Sequence, residues 1–249
     1  MASPAPVHRL ASWDTSDPAE VRRAIRDGRF TGHTGSLAPG YVQANLAILP
    51  KDYADEFALF CQRNPKPCPL LGMSDPGSPL LPEVADDLDI RTDLSSYRVF
   101  RDGELVEDVN DISSLWQDDF VTFALGCSFS FEEALVEAGL PLRHWDDGST
   151  VPMYLTDIDC VPAGRFSGKM VVSMRPFTPA DVVKAVQVTS RYPRVHGAPV
   201  HIGLPQMIGI DNVHKAWQGD DPQLGDDVLP VFWACGVTPQ SVVTQAKDR

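Results

Sequence analysis

The chain has 249 residues, 43% of them hydrophobic and 22% charged, which is enough apolar sequence to bury the core of one large or two modest domains. Its 34 acidic against 21 basic side chains leave a formal net charge of −13, and this opposes broad affinity for nucleic acid or an anionic membrane, because neutralising phosphate needs clustered Lys and Arg. No apolar run approaches the roughly 18 residues of a membrane span, and the five scattered cysteines, Cys61, Cys68, Cys127, Cys160 and Cys235, contain no CxxC pair, so neither a disulfide scaffold nor a zinc finger is indicated.

The N-terminal MASPAPVHRLASWDTSD carries no apolar signal segment and reads as a loose tail up to about Trp13 in a cytoplasmic protein. Asp17, Pro18 and Gly28 then supply the cap, first-turn residue and stop of a helix. Residues 41–49 form an apolar run open to either strand or helix, and Pro50 introduces a helix, KDYADEFALFCQRN, whose Tyr53, Phe57 and Phe60 recur at core-facing spacing. The Pro- and Gly-crowded stretch 64–82 reads as an ordered loop. Asp102-Gly103 between two short β-like runs predicts a hairpin.

Helices are then predicted over 111–125 and 130–139, the second from a capping box, Ser130 with Glu133, and a stop at Gly139 before Pro141. Strands over 152–158 and 169–177 follow, then a helix from Thr178, and a buried strand VFWAC that feeds a helix start at Thr238-Pro239. The mixture points to an α/β or α+β architecture.

Two places join a cysteine, a small residue and a helix start: Gly126-Cys127-Ser128, and Cys235-Gly236-Val237-Thr238. Unpaired N–H groups in a first helical turn suit a carboxylate or an oxyanion, whereas the bland alternative is a cap beside a buried, inert thiol. His196 and His201, in RVHGAPVHIG, lack the spacing of a helical metal pair and suit proton transfer near neutral pH, so no metal or other cofactor is expected. Arg175, Arg191 and Arg194 lie close by in sequence, and Arg175 directly follows an apolar strand, a placement suited to holding a carboxylate. Glu132, Glu133, Asp157 and Asp159 are carboxylate candidates, Glu133 as a cap and Asp157 because it ends an otherwise apolar strand.

The blocks GYVQANLAILPKDYADEFALFCQRNPKPCPLLG, GCSFSFEEAL, PAGRFSGKMVVSMRP, SRYPRVHGAPVHIG and PVFWACGVTPQ, spread nearly end to end, resemble the D-glutamate cyclase family. The resemblance implies an α/β fold with a larger layered portion, residues 1–110 and 195–249, and a smaller inserted α+β portion, residues 111–194. It also implies closure of D-glutamate to 5-oxo-D-proline with loss of water. One departure is Thr156-Asp157-Ile158, where the family is expected to read Thr-Asn-Ile; a charge there would disfavour a dicarboxylate if the residue touches substrate.

Lactam closure needs a base for the amine, an acid for the departing oxygen and donors for the tetrahedral oxyanion. His196 or His201 fits the proton transfers, Gly236, Val237 and Thr238 the oxyanion or carboxylate site, and Arg175 or Arg194 the counter-ion. A thioester on Cys127 or Cys235 is a variant. A C–O hydro-lyase acting on a hydroxy-acid would use the same inventory. A non-catalytic carboxylate-binding protein would need only the clamps. The expected partner is a small carboxylate, with a homo-oligomer left open.

Overall fold

The computed structural model describes residues 13–246, with the backbone alone for 146 and 147; the expected loose tail lies outside these residues. Helix α1 (Pro18–Arg26) starts as its sequence dictates, the Asp17 carboxylate accepting from the Ala19 N–H at 2.9 Å. Strand β1 (Ala44–Pro50) settles the strand-or-helix alternative and runs directly into α2 (Lys51–Arg63), which buries Phe57 and Phe60. Strand β2 (Leu70–Met73) lies inside the stretch read as loop throughout, so that reading is corrected over four residues. The hairpin forms as predicted from β3 (Tyr97–Arg101) and β4 (Glu104–Val109), Asp102 and Gly103 both taking positive φ.

The helix predicted over 111–125 does not form: residues 111–119 make turns and strand β5 (Phe120–Gly126) takes up the rest. This strand is central in the antiparallel sheet β1-β5-β2 and buried on both faces, so FVTFALG shows neither the alternation of a half-exposed strand nor a helical stripe. The capping box also fails to form. A 3₁₀ turn (Ser128–Phe131) leads into α3 (Glu132–Glu137), and the Ser130 hydroxyl instead accepts from the Gln43 N–H at 2.8 Å. Gly139 ends the segment at positive φ, and an unforeseen short helix α4 (Arg143–Asp147) follows.

The remaining strands, β6 (Met153–Asp159), β7 (Lys169–Phe177), β8 (His201–Ile202) and β9 (Leu229–Ala234), make an antiparallel sheet in the order β6-β7-β9-β8. Helix α5 (Pro179–Thr189), capped by Thr178, follows β7, and α6 (Val237–Gln245) follows β9. The expectation of a mixed α/β fold holds, with every strand pairing antiparallel. Sheet hydrogen bonds cross both residue 111 and residue 195, since β5 pairs with β1 and β2, and β7 with β9.

One core lies between the first sheet and α2, where the Phe57 ring meets Phe123 and Phe166 edge-on at 4.8 and 5.1 Å. A second fills the space between the four-stranded sheet and α3 and α5 with Phe131, Leu135, Phe177, Val231 and Trp233. Phe57 has no exposed surface and contacts aromatic rings from two other segments. Phe57→Ala is therefore expected to cost about 3–5 kcal/mol in urea denaturation. A loss within about 0.5 kcal/mol, the range of a surface substitution, would show that this aromatic cluster does not hold the first sheet to α2.

Candidate functional site

The strand ends β5 and β9 meet because two residues lack a side chain. A Cβ on Gly126 would overlap the Arg194 carbonyl oxygen, and one on Gly236 would overlap the Asn45 amide and lie 3.7 Å from the Gly126 carbonyl oxygen. With glycine at both positions, the turns Gly126–Ser128 and Cys235–Val237, the 194–196 backbone and Asn45 of β1 converge.

Arg175, on β7 beneath this junction, is fully buried and held by four of its five N–H donors. Its Nε donates to Glu132 Oε1 at 2.9 Å and Nη2 to the same oxygen, while Nη2 also reaches Ser128 Oγ at 3.0 Å and Nη1 reaches Ser173 Oγ at 3.1 Å. Glu132 is completed by His144 Nε2 at 2.9 Å and the Trp145 indole N–H at 2.7 Å. Burial by itself would raise the Glu132 carboxyl, but Arg175 and His144 outweigh it and hold the group at about 2. The Phe131 and Trp233 rings flank the guanidinium at 5.4 and 5.5 Å.

His196 takes a left-handed backbone conformation, and its Nδ1 lies 2.8 Å from the Lys66 carbonyl oxygen. A carbonyl only accepts, so Nδ1 carries the proton and Nε2 keeps its lone pair. That Nε2 is buried with no hydrogen bond among the described residues, the Gly126 carbonyl lying near the ring. Burial, with Arg175 and Lys66 adding positive charge, depresses the imidazole to about 4, so it is neutral at pH 7. The Cys127 thiol is pushed up to about 12 by burial, and burial likewise raises Cys235. Both thiols are within reach of the Arg175 charge and stay protonated at neutral pH, which disfavours a thioester path.

The backbone donors are less open than the helix start suggests. The Thr238 N–H bonds to the Cys235 carbonyl at 2.9 Å, the Val237 N–H faces the Cys235 thiol, and the Thr238 hydroxyl brackets the Val171 backbone. Gly236 supplies the remaining N–H of the three.

A cleft of about 1630 Å³ runs along β1 and reaches this junction, where Asn45, Cys127, Arg194 and Gln240 line it. Arg194 is exposed and forms no ion pair or hydrogen bond among the described residues, so its charge is uncompensated. Arg175, His196, Cys235 and Thr238 stand behind the cleft wall.

The structure does not bring His201 or Asp157 to this place. His201 pairs with Phe232, whose ring faces the Tyr154, Val172 and Met174 core on the opposite side of the sheet from Arg175. Its Nε2 is 2.9 Å from the Leu204 carbonyl oxygen. Asp157 is exposed on the edge strand β6, near the Asp159–Lys169 end of the ladder, about 20 Å along β7 from Arg175 at 3.3 Å per residue. Arg191 is exposed after α5, Asp159 pairs with Lys169 at 2.7 Å, and Glu133 lies beside Gly40.

Sequence reading missed Asn45, Lys66, Ser173 and His144, and it saw Glu132 as a carboxylate without seeing its partner. The run YVQANLAIL holds two polar residues, Gln43 and Asn45, and only the structure shows that Asn45 is the one at the junction. Among the described residues no group of His, Cys, Asp and Glu is arranged to hold a metal ion, and no helix is long and apolar enough to cross a membrane.

Residues 121–249 match the family model described as D-glutamate cyclase. Three relatives named "Putative hydro-lyase" are similar over nearly the whole chain. The protein of Xanthobacter autotrophicus is 55% identical over 99% of this chain and 91% of its own length. That of Verminephrobacter eiseniae is 60% identical over 93% and 85%, and that of Azorhizobium caulinodans 58% identical over 92% and 84%. A solved nitrogen repressor-like protein from Methanococcus jannaschii is 11% identical, with a TM-score of 0.40 over 94% of this chain and 89% of its own.

Two buried groups make stability fall with acid in separate steps. His196 has a folded value of about 4 against an ordinary 6.5, so its share is complete above about pH 6.5 and lost as pH falls toward 4. Glu132, at about 2 against 4.5, keeps its share above about pH 4.5 and loses it as pH falls toward 2. Urea denaturation across pH is expected to lose the upper step in His196→Gln and the lower in Glu132→Gln. Glu132→Gln also strands the Arg175 charge, for a cost at pH 7 of about 3–5 kcal/mol. Unchanged acid profiles in both variants would assign the acid sensitivity to other groups.

Proposed function

The chain belongs to the D-glutamate cyclase family, and on that premise we propose that it is a hydro-lyase acting on a small carboxylate, closing D-glutamate to 5-oxo-D-proline with loss of water. The observation that carries the reading is that one cleft is lined by both Arg194, without an ion pair among the described residues, and the protonated Cys127 thiol, with the buried His196 imidazole behind its wall.

In the reaction a nitrogen–carbon bond forms and a carbon–oxygen bond breaks. Two protons leave the ammonium nitrogen, and both finish on the departing oxygen as water, so the site must move protons without supplying any. Arg194 holds the α-carboxylate, with Asn45 and the Gly236 N–H as further donors. His196 Nε2 takes the amine proton once the negative charge of bound substrate raises its basicity from the value of about 4 that burial and Arg175 impose, and Cys127, neutral with a value of about 12, is the donor to a strongly basic departing oxygen. Because His196 stands behind the Gly126 turn, its proton passes through a water or a shift of the 194–197 turn on substrate entry. Arg175 contributes its field rather than a direct clamp, since Glu132 and two serines occupy four of its donors. A C–O hydro-lyase on a hydroxy-acid is supported by the same protonated Cys127 thiol, which would serve the leaving hydroxyl directly.

An NMR time course with D-glutamate, L-glutamate and a panel of hydroxy-acids tests the reading. The expected product is 5-oxo-D-proline; water loss only from a hydroxy-acid would select the second reaction, and no turnover of any of them would overturn both.

On the substrate so found, Arg194→Ala should raise KM by roughly tenfold or more, as for loss of a charged hydrogen bond of about 1.5–3 kcal/mol. His196→Gln should lower kcat by about 10²–10⁴. His201→Ala and Asp157→Asn should leave turnover unchanged, because both positions lie away from the junction. A kcat loss in His201→Ala with none in His196→Gln would reverse the assignment of the base.

A further inference from the structure

Lys66 lies outside the lining of the cleft, yet its backbone and its side chain both act on His196. Its carbonyl accepts from His196 Nδ1 at 2.8 Å, and its ammonium donates to the His196 carbonyl at 3.2 Å. Lys66 is half-buried, forms no ion pair and has no other hydrogen-bond acceptor for its ammonium among the described residues. In a chain with 34 acidic side chains, this lysine spends its charge on a backbone carbonyl instead.

The segment that presents Lys66 is held at both ends. Pro65 and Pro67 fix φ on either side of it. The buried Asn64 side chain donates to the Phe60 and Val161 carbonyls, both at 2.8 Å, and accepts from the Val161 N–H at 2.7 Å. Cys68, fully buried, closes the segment with its N–H on the Asn64 carbonyl at 3.0 Å. The partner is the less settled of the two. His196 sits at φ 83° with Gly197 following at φ 65°, and a residue with a Cβ stays in that region only where its neighbours hold it. The ring also has a competing acceptor, because the Gly126 carbonyl lies near it, and a neutral imidazole has one proton for two carbonyls. The 2.8 Å bond to Lys66 puts that proton on Nδ1 and leaves the lone pair on Nε2.

We propose that Lys66 is a positioning residue for the reaction: its carbonyl selects the tautomer of His196, and its ammonium pins the His196 carbonyl in the left-handed turn, so that Nε2 stays open for the substrate's proton. The inference rests on the reading of His196 as the base and names what keeps that base in its working form. Removing the ammonium has two consequences. The His196 carbonyl loses its donor, so the 194–197 turn is free to relax and carry the ring with it. The imidazole also loses a neighbouring positive charge. The charged groups around it are the Arg175–Glu132 pair, Lys66, and Arg194 on its own turn, while the Cys127 and Cys235 thiols are protonated. With Lys66 neutralised, the ring becomes easier to protonate.

The test is ¹⁵N NMR of the full chain labelled at histidine, with the His196 signals assigned by their loss in His196→Gln. The wild-type ring is expected to show the Nδ1–H tautomer at pH 7 and to titrate at about 4. Lys66→Met is expected to shift that midpoint upward, and Lys66→Arg, which keeps the charge and the donor, to return it toward the wild-type position. A merely structural contact would lower stability to urea and leave the midpoint in place. On a substrate that the wild type turns over, Lys66→Met should lower kcat about tenfold or more with KM unchanged, because Lys66 does not line the cleft. An Nε2–H tautomer in the wild type, a His196 midpoint that stays in place in Lys66→Met or moves as far in Lys66→Arg, or an unchanged kcat in Lys66→Met would overturn the proposal. The tautomer is read on the wild type without substrate, so neither a misfolded Lys66→Met nor a protein that leaves D-glutamate untouched removes the test.

Discussion

A positive charge deep in the protein has to be matched, and the match between Arg175 and Glu132 organises much of what surrounds it. Arg175 comes from β7 and Glu132 from α3, and neither has appreciable contact with solvent. Separating them would leave either ion unsolvated, at a cost of several kcal/mol, whereas together with Ser128, Ser173, His144 and Trp145 nearly every polar atom is satisfied. The pair thus pins α3, α4 and the Cys127–Ser128 turn to the four-stranded sheet. It also sets the electrical character of the junction, since the Arg175 charge reaches Cys127, Cys235 and His196.

Around that pair the junction combines groups that water would normally equalise. Among the described residues an imidazole is kept neutral without a hydrogen bond at Nε2, two thiols are kept protonated, and the cleft arginine forms no ion pair. In a chain with a net charge of −13, an unpaired cation facing a cleft is an inviting place for a carboxylate. Arg194 stands at the surface of the cleft and Arg175 is buried beneath it. The two arginines carry the same charge, but only one has donors to spare for a ligand.

The local parts of the fold were legible where one residue type does one job. Asp17-Pro18, Asp102-Gly103, Thr178-Pro179 and the aromatic spacing of α2 each marked an element that forms as expected. Failures came where burial on both faces erased periodicity, as in β5, and where a competing partner captured a capping side chain, as when Ser130 turned to Gln43. The short strand β2 was hidden for a similar reason, because its pairing with β5 is supplied from more than forty residues away. Of the candidate site, Cys127, Cys235, Arg175, Arg194, His196 and Gly236 are brought to one junction, while His201 and Asp157 are not. Sequence proximity put both histidines together; strand geometry separated them, because neighbours on a sheet are chosen by side of the pleat and not by spacing along a loop.

By itself the sequence determined the family, the mixture of helices and strands, the two cysteine turns and the inventory of groups available for chemistry. Those follow from residue identity and short-range pattern, which are complete in one dimension. The tertiary structure alone decided which arginine is spent on a buried carboxylate and which stays available, which histidine is held with an open lone pair, and why glycine stands at 126 and 236. Each of these depends on what a residue's neighbours in space leave unsatisfied, and hydrogen-bond donors and free volume are shared between segments far apart in the chain.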